Sequence, residues 1–275
     1  MRAHAADRSP NPHRLTISAI LWTMVVLTAA GCGFGPLTGR ATEEWSKSYP
    51  LAAGGELRIG NTNGKVEIEG VDGSNVDVHA VKIAHAATDE AARQMLPRIA
   101  ITEDIKPDRV SIESGRMAGF LLGVGYEVEY HVKAPRHVTV NARTTNGVIT
   151  LTGLDGKVIA RTTNGGVRAK GLGGSVEAES TNGGVNIDLA SVGDNRIALR
   201  TTNGAVTLEV PDTAKADVLA TWTNGGINVN GLPIDVSERS RRRYEGKLNG
   251  GGAPIELHTT NGGIRLRARE VQGTK

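Results

Sequence analysis

Seven times the chain writes Thr-Asn-Gly, with Asn at 63, 146, 164, 182, 203, 224 and 261. The intervals are 83, 18, 18, 21, 21 and 37 residues. A spacing near 20 residues marks a repeat architecture if neighbouring positions keep register with the triplet. They do. Three and five residues after Asn164 stand Val167 and Ala169; six and four before it stand Val158 and Ala160. Across the seven repeats all 28 such positions are apolar, and the positions between them are mostly polar. This period of two makes each repeat a strand, a turn and a second strand, with one face buried.

Two all-β folds fit that pattern. An antiparallel meander would use Asn-Gly as a two-residue hairpin turn. A single-stranded β-helix, or β-solenoid, of about 18–21 residues per coil would use it as a corner. Near-identical units favour the solenoid, because each coil then meets the same neighbours. The second corner reads GLDGK (153–157), GLGGS (171–175), ASVGDNR (190–196) and PDTAKAD (211–217), and its length varies. The Thr-Asn-Gly corner does not vary, so it is the constrained one. Glycine takes positive φ freely and Asn tolerates it. Asn63, Asn146, Asn164, Asn182, Asn203, Asn224 and Asn261 are therefore read as structural corners. Stacked coils would place them about 4.8 Å apart, as an Asn ladder.

The N-terminus reads as an address. Arg2, Arg8 and Arg14 precede an uncharged, mostly apolar run over 15–31 that ends Thr28-Ala29-Ala30-Gly31-Cys32. A basic start, an apolar stretch and small residues describe a secretory signal. Its end resembles a bacterial lipobox, which implies cleavage before Cys32 and a lipid anchor on that residue. Residues 32–50 then read as a tether, and 269–275 as a tail. Cys32 is the only cysteine, so no intramolecular disulfide is possible. The net charge of +3 rests partly on the three signal arginines, which argues against nucleic acid as a partner.

Two segments depart from the repeat. Over 84–135, TDEAARQML (88–96) reads as one short helix capped by Thr88 and stopped at Pro97. RIAITEDI, RVSIES and YEVEYHVKAP read as strands. The apolar, glycine-rich GRMAGFLLGVG (115–125) reads as a cover for the core's end. Residues 233–252 form an insertion containing Arg239, Arg241, Arg242 and Arg243.

The repeated TNG strands, the run YHVKAPRHVTVNARTTNGVITL (130–151) and KLNGGGAPIELHTTNGGIRL (247–266) resemble DUF4097, a bacterial adhesin-like envelope family. The resemblance covers roughly 50–268. It implies a β-helix on secreted or membrane-associated proteins and carries over no catalytic residue.

No constellation in the sequence indicates an enzyme. The seven histidines share no repeat offset or metal-ligand spacing, and no GxSxG or P-loop is present. A polysaccharide lyase would need clustered acids, and Asp155, Asp188, Asp194, Asp212 and Asp217 are scattered. A flat Thr array for ice fails, because only Thr150 and Thr152 satisfy it. No cofactor or metal is expected. One outward column, three residues before each Asn, contains Arg143, Arg161 and Arg200. These residues, with Arg241, Arg242 and Arg243, are the candidate anion contacts. The function expected is a non-catalytic, lipid-anchored envelope protein for binding or scaffolding. The outer membrane is favoured if the cell has two. Its partners would be the membrane and an envelope glycan or protein. The alternative is an envelope-stress or regulatory component bound to a protein.

Overall fold

The structure is a computed structural model describing residues 38–115 and 124–269. The signal segment, Cys32, the apolar stretch over 116–123 and the end of the tail lie outside the described residues. Those described form one sheet of nineteen strands and a short helix.

The chain begins with β1 (Gly39–Pro50), β2 (Glu56–Asn63), β3 (Val66–Val71) and β4 (Asn75–Ala86). Helix α1 (Asp89–Met95) follows, then β5 (Ile101–Lys106), β6 (Arg109–Ser114) and β7 (Gly125–Pro135). Regular repeats supply β8 (Thr139–Asn146), β9 (Ile149–Thr152), β10 (Val158–Asn164) and β11 (Val167–Leu172). They continue as β12 (Val176–Asn182), β13 (Val185–Leu189), β14 (Ile197–Asn203) and β15 (Val206–Val210). The last strands are β16 (Ala216–Asn230), β17 (Ile234–Arg239), β18 (Arg243–Leu248) and β19 (Ala253–Ala268).

Repeat pairs with repeat in parallel and in register, so Val158 lies beside Val176 and Asn164 beside Asn182. This excludes the meander and makes the fold a β-solenoid. Strands before each corner build one wall, ordered β5–β6–β2–β8–β10–β12–β14–β19–β16–β18–β17. Strands after it build a second wall, β1–β4–β7–β3–β9–β11–β13–β15–β19–β16. The long β16 and β19 run through the corner and serve both.

The 28 apolar repeat positions point between the walls. Only Ile227 and Val229 are half-buried, because their coil ends the stack. The core is aliphatic, and Leu57, Ile149, Ile197 and Leu199 are fully enclosed. Each such side chain contributes about 1.5–3 kcal/mol on leaving water.

Stacking does not follow chain order at the end. β19 lies between β14 and β16, so the Asn261 coil is wedged between the Asn203 and Asn224 coils. The β17–β18 hairpin extends the first wall beyond β16 and holds Arg239 and Arg243.

At the opposite end, the tether reading is corrected from Gly39 onward. Residues 39–50 form β1, paired with β4 over its whole length. Its apolar signal is weak, since only Gly39, Ala41 and Tyr49 of this edge strand are buried. Helix α1 starts as expected: the Thr88 hydroxyl accepts from the Ala91 N–H at 3.2 Å. Pro97 then falls in a 3-10 turn.

Candidate functional site

The corners hold two hydrogen-bond ladders. In the outer one, each Asn side chain after Asn63 donates to the Asn before it in the stack, at 2.7–2.9 Å. The order is Asn63, Asn146, Asn164, Asn182, Asn203, Asn261, Asn224, which follows space rather than sequence.

The second ladder is buried, and the Asn-centred reading missed it. Two residues before Asn stand Thr144, Thr162, Ser180, Thr201 and Thr259, all buried. Thr162 donates to the Gly147 carbonyl at 3.0 Å, Ser180 to Gly165 at 2.7 Å, and Thr259 to Gly204 at 3.0 Å. The parity of the repeat already placed this column inside, so its polarity was the signal. Glycine after Asn is needed for closeness. A Cβ on Gly165 would lie 1.9 Å from the Gly147 oxygen, and one on Gly262 1.8 Å from the Gly204 oxygen. These contacts make the corner a winding device, with its polar groups used internally.

The candidate anion residues are dispersed. On the first wall's outer face Arg161 pairs with Glu177 and, at 3.6 Å, with Glu179. Arg200 shares Glu256 with Arg196, at 3.4 and 2.9 Å. Arg143 is exposed and lines a shallow recess of about 180 Å³ with Arg58, Glu113 and Asn141. Arg243 is held by Glu238 at 2.9 Å and Glu245 at 2.6 Å, which push its already high pKa further up. Arg241 and Arg242 are exposed at the hairpin tip. The column is thus largely a set of exposed ion pairs, worth about 0–1 kcal/mol each.

A larger concavity than the Arg143 recess lies elsewhere, on the second wall's outer face. It measures about 900 Å³ and is lined by outward residues of β1, β4, β7, β3 and β9. Ser46 hydrogen-bonds His79 Nδ1 at 2.8 Å, and His131 Nδ1 lies 2.7 Å from Glu67. The two rings are tilted, with centroids 6.2 Å apart. Ser48 donates to Asp77 at 2.6 Å. Lys133 and Thr152 complete the rim, and a second recess of about 180 Å³ continues past Arg168 and Lys170 to Glu209. Lys133, Arg168 and Arg265 on this face are exposed. None has an ion-pair partner among the described residues. Next to them Asp188 is ion-paired with Arg269 at 2.9 Å, and burial raises its pKa. Among the described residues no group of three or more His, Cys, Asp or Glu is placed to hold a metal.

Chemically, this face offers hydroxyls, imidazoles and free cations along a shallow trough. Among the described residues no third group is placed to orient the Ser46–His79 pair as a catalytic base, and the neighbouring His131 faces Glu67 instead.

A parallel β-solenoid wound on polar corner ladders is the class of protein these features define. The DUF4097 profile, described as Toastrack, matches residues 55–267, and the chain belongs to this family. No curated protein matches the sequence. Similar solved structures include a candidate cell adhesion protein from Clostridium sporogenes, 13% identical with a TM-score of 0.45. That match covers 83% of this chain and 100% of the other. A candidate adhesin from Bacteroides fragilis is 11% identical, with a TM-score of 0.37, over 82% and 97% of the two chains. One from Parabacteroides distasonis is 12% identical, with a TM-score of 0.25, over 85% and 98%.

Proposed function

We propose that this chain is a lipid-anchored, non-catalytic envelope protein whose second wall binds an extended anionic polymer of the cell envelope. The observation that carries this reading is the 900 Å³ trough with exposed Lys133 on its rim and Arg168 and Arg265 further along the same face. Ten strands give that face nine steps of about 4.8 Å, roughly 43 Å, a length suited to a polymer rather than a small molecule. The lipobox ending at Cys32 supplies the anchor, and the adhesin descriptions of the similar structures accord with a surface role. The ion pairs on Arg161 and Arg200 favour the second wall over the first for this contact.

The test is retention on immobilised polyuronate beside neutral glucan. Combined Lys133→Ser, Arg168→Ser and Arg265→Ser is expected to weaken polyuronate retention by about tenfold, or about 1.4 kcal/mol. Combined Arg143→Ser, Arg161→Ser and Arg200→Ser is expected to leave it intact. The reverse result, or equal retention on neutral glucan, would overturn the reading.

A further inference from the structure

The first wall ends on two open strands. Among the described residues β5 pairs only with β6, and β17 only with β18. Among the described residues the exposed large hydrophobic side chains are Ile105 on β5 and Val236 on β17. Strand register connects them. Ile105 lies beside Val110, and Val110 beside Leu57. The row continues through Val140, Val158, Val176, Ile197, Ile255 and Val218. Gly246 and Val236 complete it. One inward apolar row therefore crosses the whole wall and emerges at each end.

The flanking positions match as well. One row outward from Ile105 is Lys106, and the same row ends at Asp235. Two rows the other way, Glu103 ends the row that Arg239 terminates on β17. Between them Asp104 and Glu238 share a row, but each already holds an arginine: Arg109 at 2.6 Å and Arg243 at 2.9 Å. The directions fit too. β17 runs with the parallel strands of the wall and β5 against them, so the two would meet antiparallel.

We propose that copies of this chain associate head to tail, the β5 edge of one copy adding to the β17 edge of the next. Ile105 then packs beside Val236, Lys106 faces Asp235, and Arg239 joins Lys47 at Glu103. An open edge is a template for strand addition. Because the joined surfaces differ, each copy in a pair keeps one unused edge, so the contact propagates beyond a dimer as a head-to-tail array. Such an array would repeat the second wall's trough along its length and multiply attachment to a polymer.

Sedimentation of the full chain over a concentration series tests this. The wild type is expected to grow beyond a dimer as concentration rises. Ile105→Lys blocks one end and Val236→Lys the other, so each variant alone stays monomeric. Mixed in equal amounts they form a dimer and nothing larger, since one sound end of each remains. Unchanged melting temperatures check that both fold. Lys106→Asp or Asp235→Lys alone weakens association by about tenfold, and combining them in one chain restores it. A wild type that stays monomeric overturns the proposal. So does association that survives in both lysine variants, which would place the contact elsewhere, for instance in the apolar stretch over 15–31.

Discussion

Thr201 donates its hydroxyl to the carbonyl oxygen of Gly183 at 2.7 Å, joining two neighbouring coils inside the corner. The same bond recurs along the stack, and the carbonyl that receives it sits where the next glycine must lack a side chain. Thr, Asn and Gly thus each meet a separate requirement of one turn.

Removing that hydroxyl isolates the buried ladder. Thr201→Val keeps the volume but strands the Gly183 carbonyl. Loss of about 1–2 kcal/mol is expected. In a domain of this size that lowers the melting temperature by roughly 2–4 °C per kcal/mol. Thr201→Ser should recover most of it. Thermal melts of the three proteins decide the matter, and equal stability of Thr201→Val and wild type would show that the bond contributes nothing.

Glycines in the corners are not equivalent. Gly165→Ala brings a methyl to 1.9 Å from the Gly147 oxygen. Rigid stacked backbone leaves little room to yield, so destabilisation above about 3 kcal/mol is expected. Gly226 has nothing within 4 Å of an added Cβ, so Gly226→Ala should stay within about 0.5 kcal/mol. Denaturant midpoints of both variants give the comparison.

Asn164 both donates to Asn146 and accepts from Asn182. Asn164→Ala removes both bonds and is expected to cost roughly 1–3 kcal/mol. Polyuronate retention of the folded variant should be unchanged. Selective loss of binding with an unaltered melt would instead make the ladder a ligand surface.

Acid should loosen the contact between β1 and β5. Lys47 donates to Glu103 at 2.6 Å and Tyr49 does so at 2.6 Å, and these bonds hold the carboxyl below its ordinary value of 4.5. A depressed carboxyl stabilises the fold above its ordinary value and loses that contribution as pH falls through its lower, folded value. Melts run downward from pH 4.5 should therefore drop more steeply for wild type than for Glu103→Gln. Parallel curves would dismiss the contribution.

Period and register exposed the coils to sequence reading, because the positions six and four before each Asn and three and five after it are all apolar. The buried Thr column was legible in the same parity but was obscured by attention to Asn. β1 was not legible as a strand: an edge strand facing solvent on most positions carries little alternation. Nor was the trough. Its lining comes from β1, β4, β7, β3 and β9, and only pairing places Ser46, His79 and Glu67 side by side. The arginine column was visible, whereas the pairing of Arg200 with Glu256 depended on β19 lying next to β14.

That placement of β19 bears on how the molecule is made. A growing chain could add coils one by one up to Asn203, but the coil that follows in sequence is not the one that rests on that edge. It must wait for β19 to arrive and slip in beside that edge. Completion is thus withheld until residues 253–268 have been made. A protein truncated within β19 would lose an internal slice, leaving two exposed faces where a simple solenoid would merely be one turn shorter.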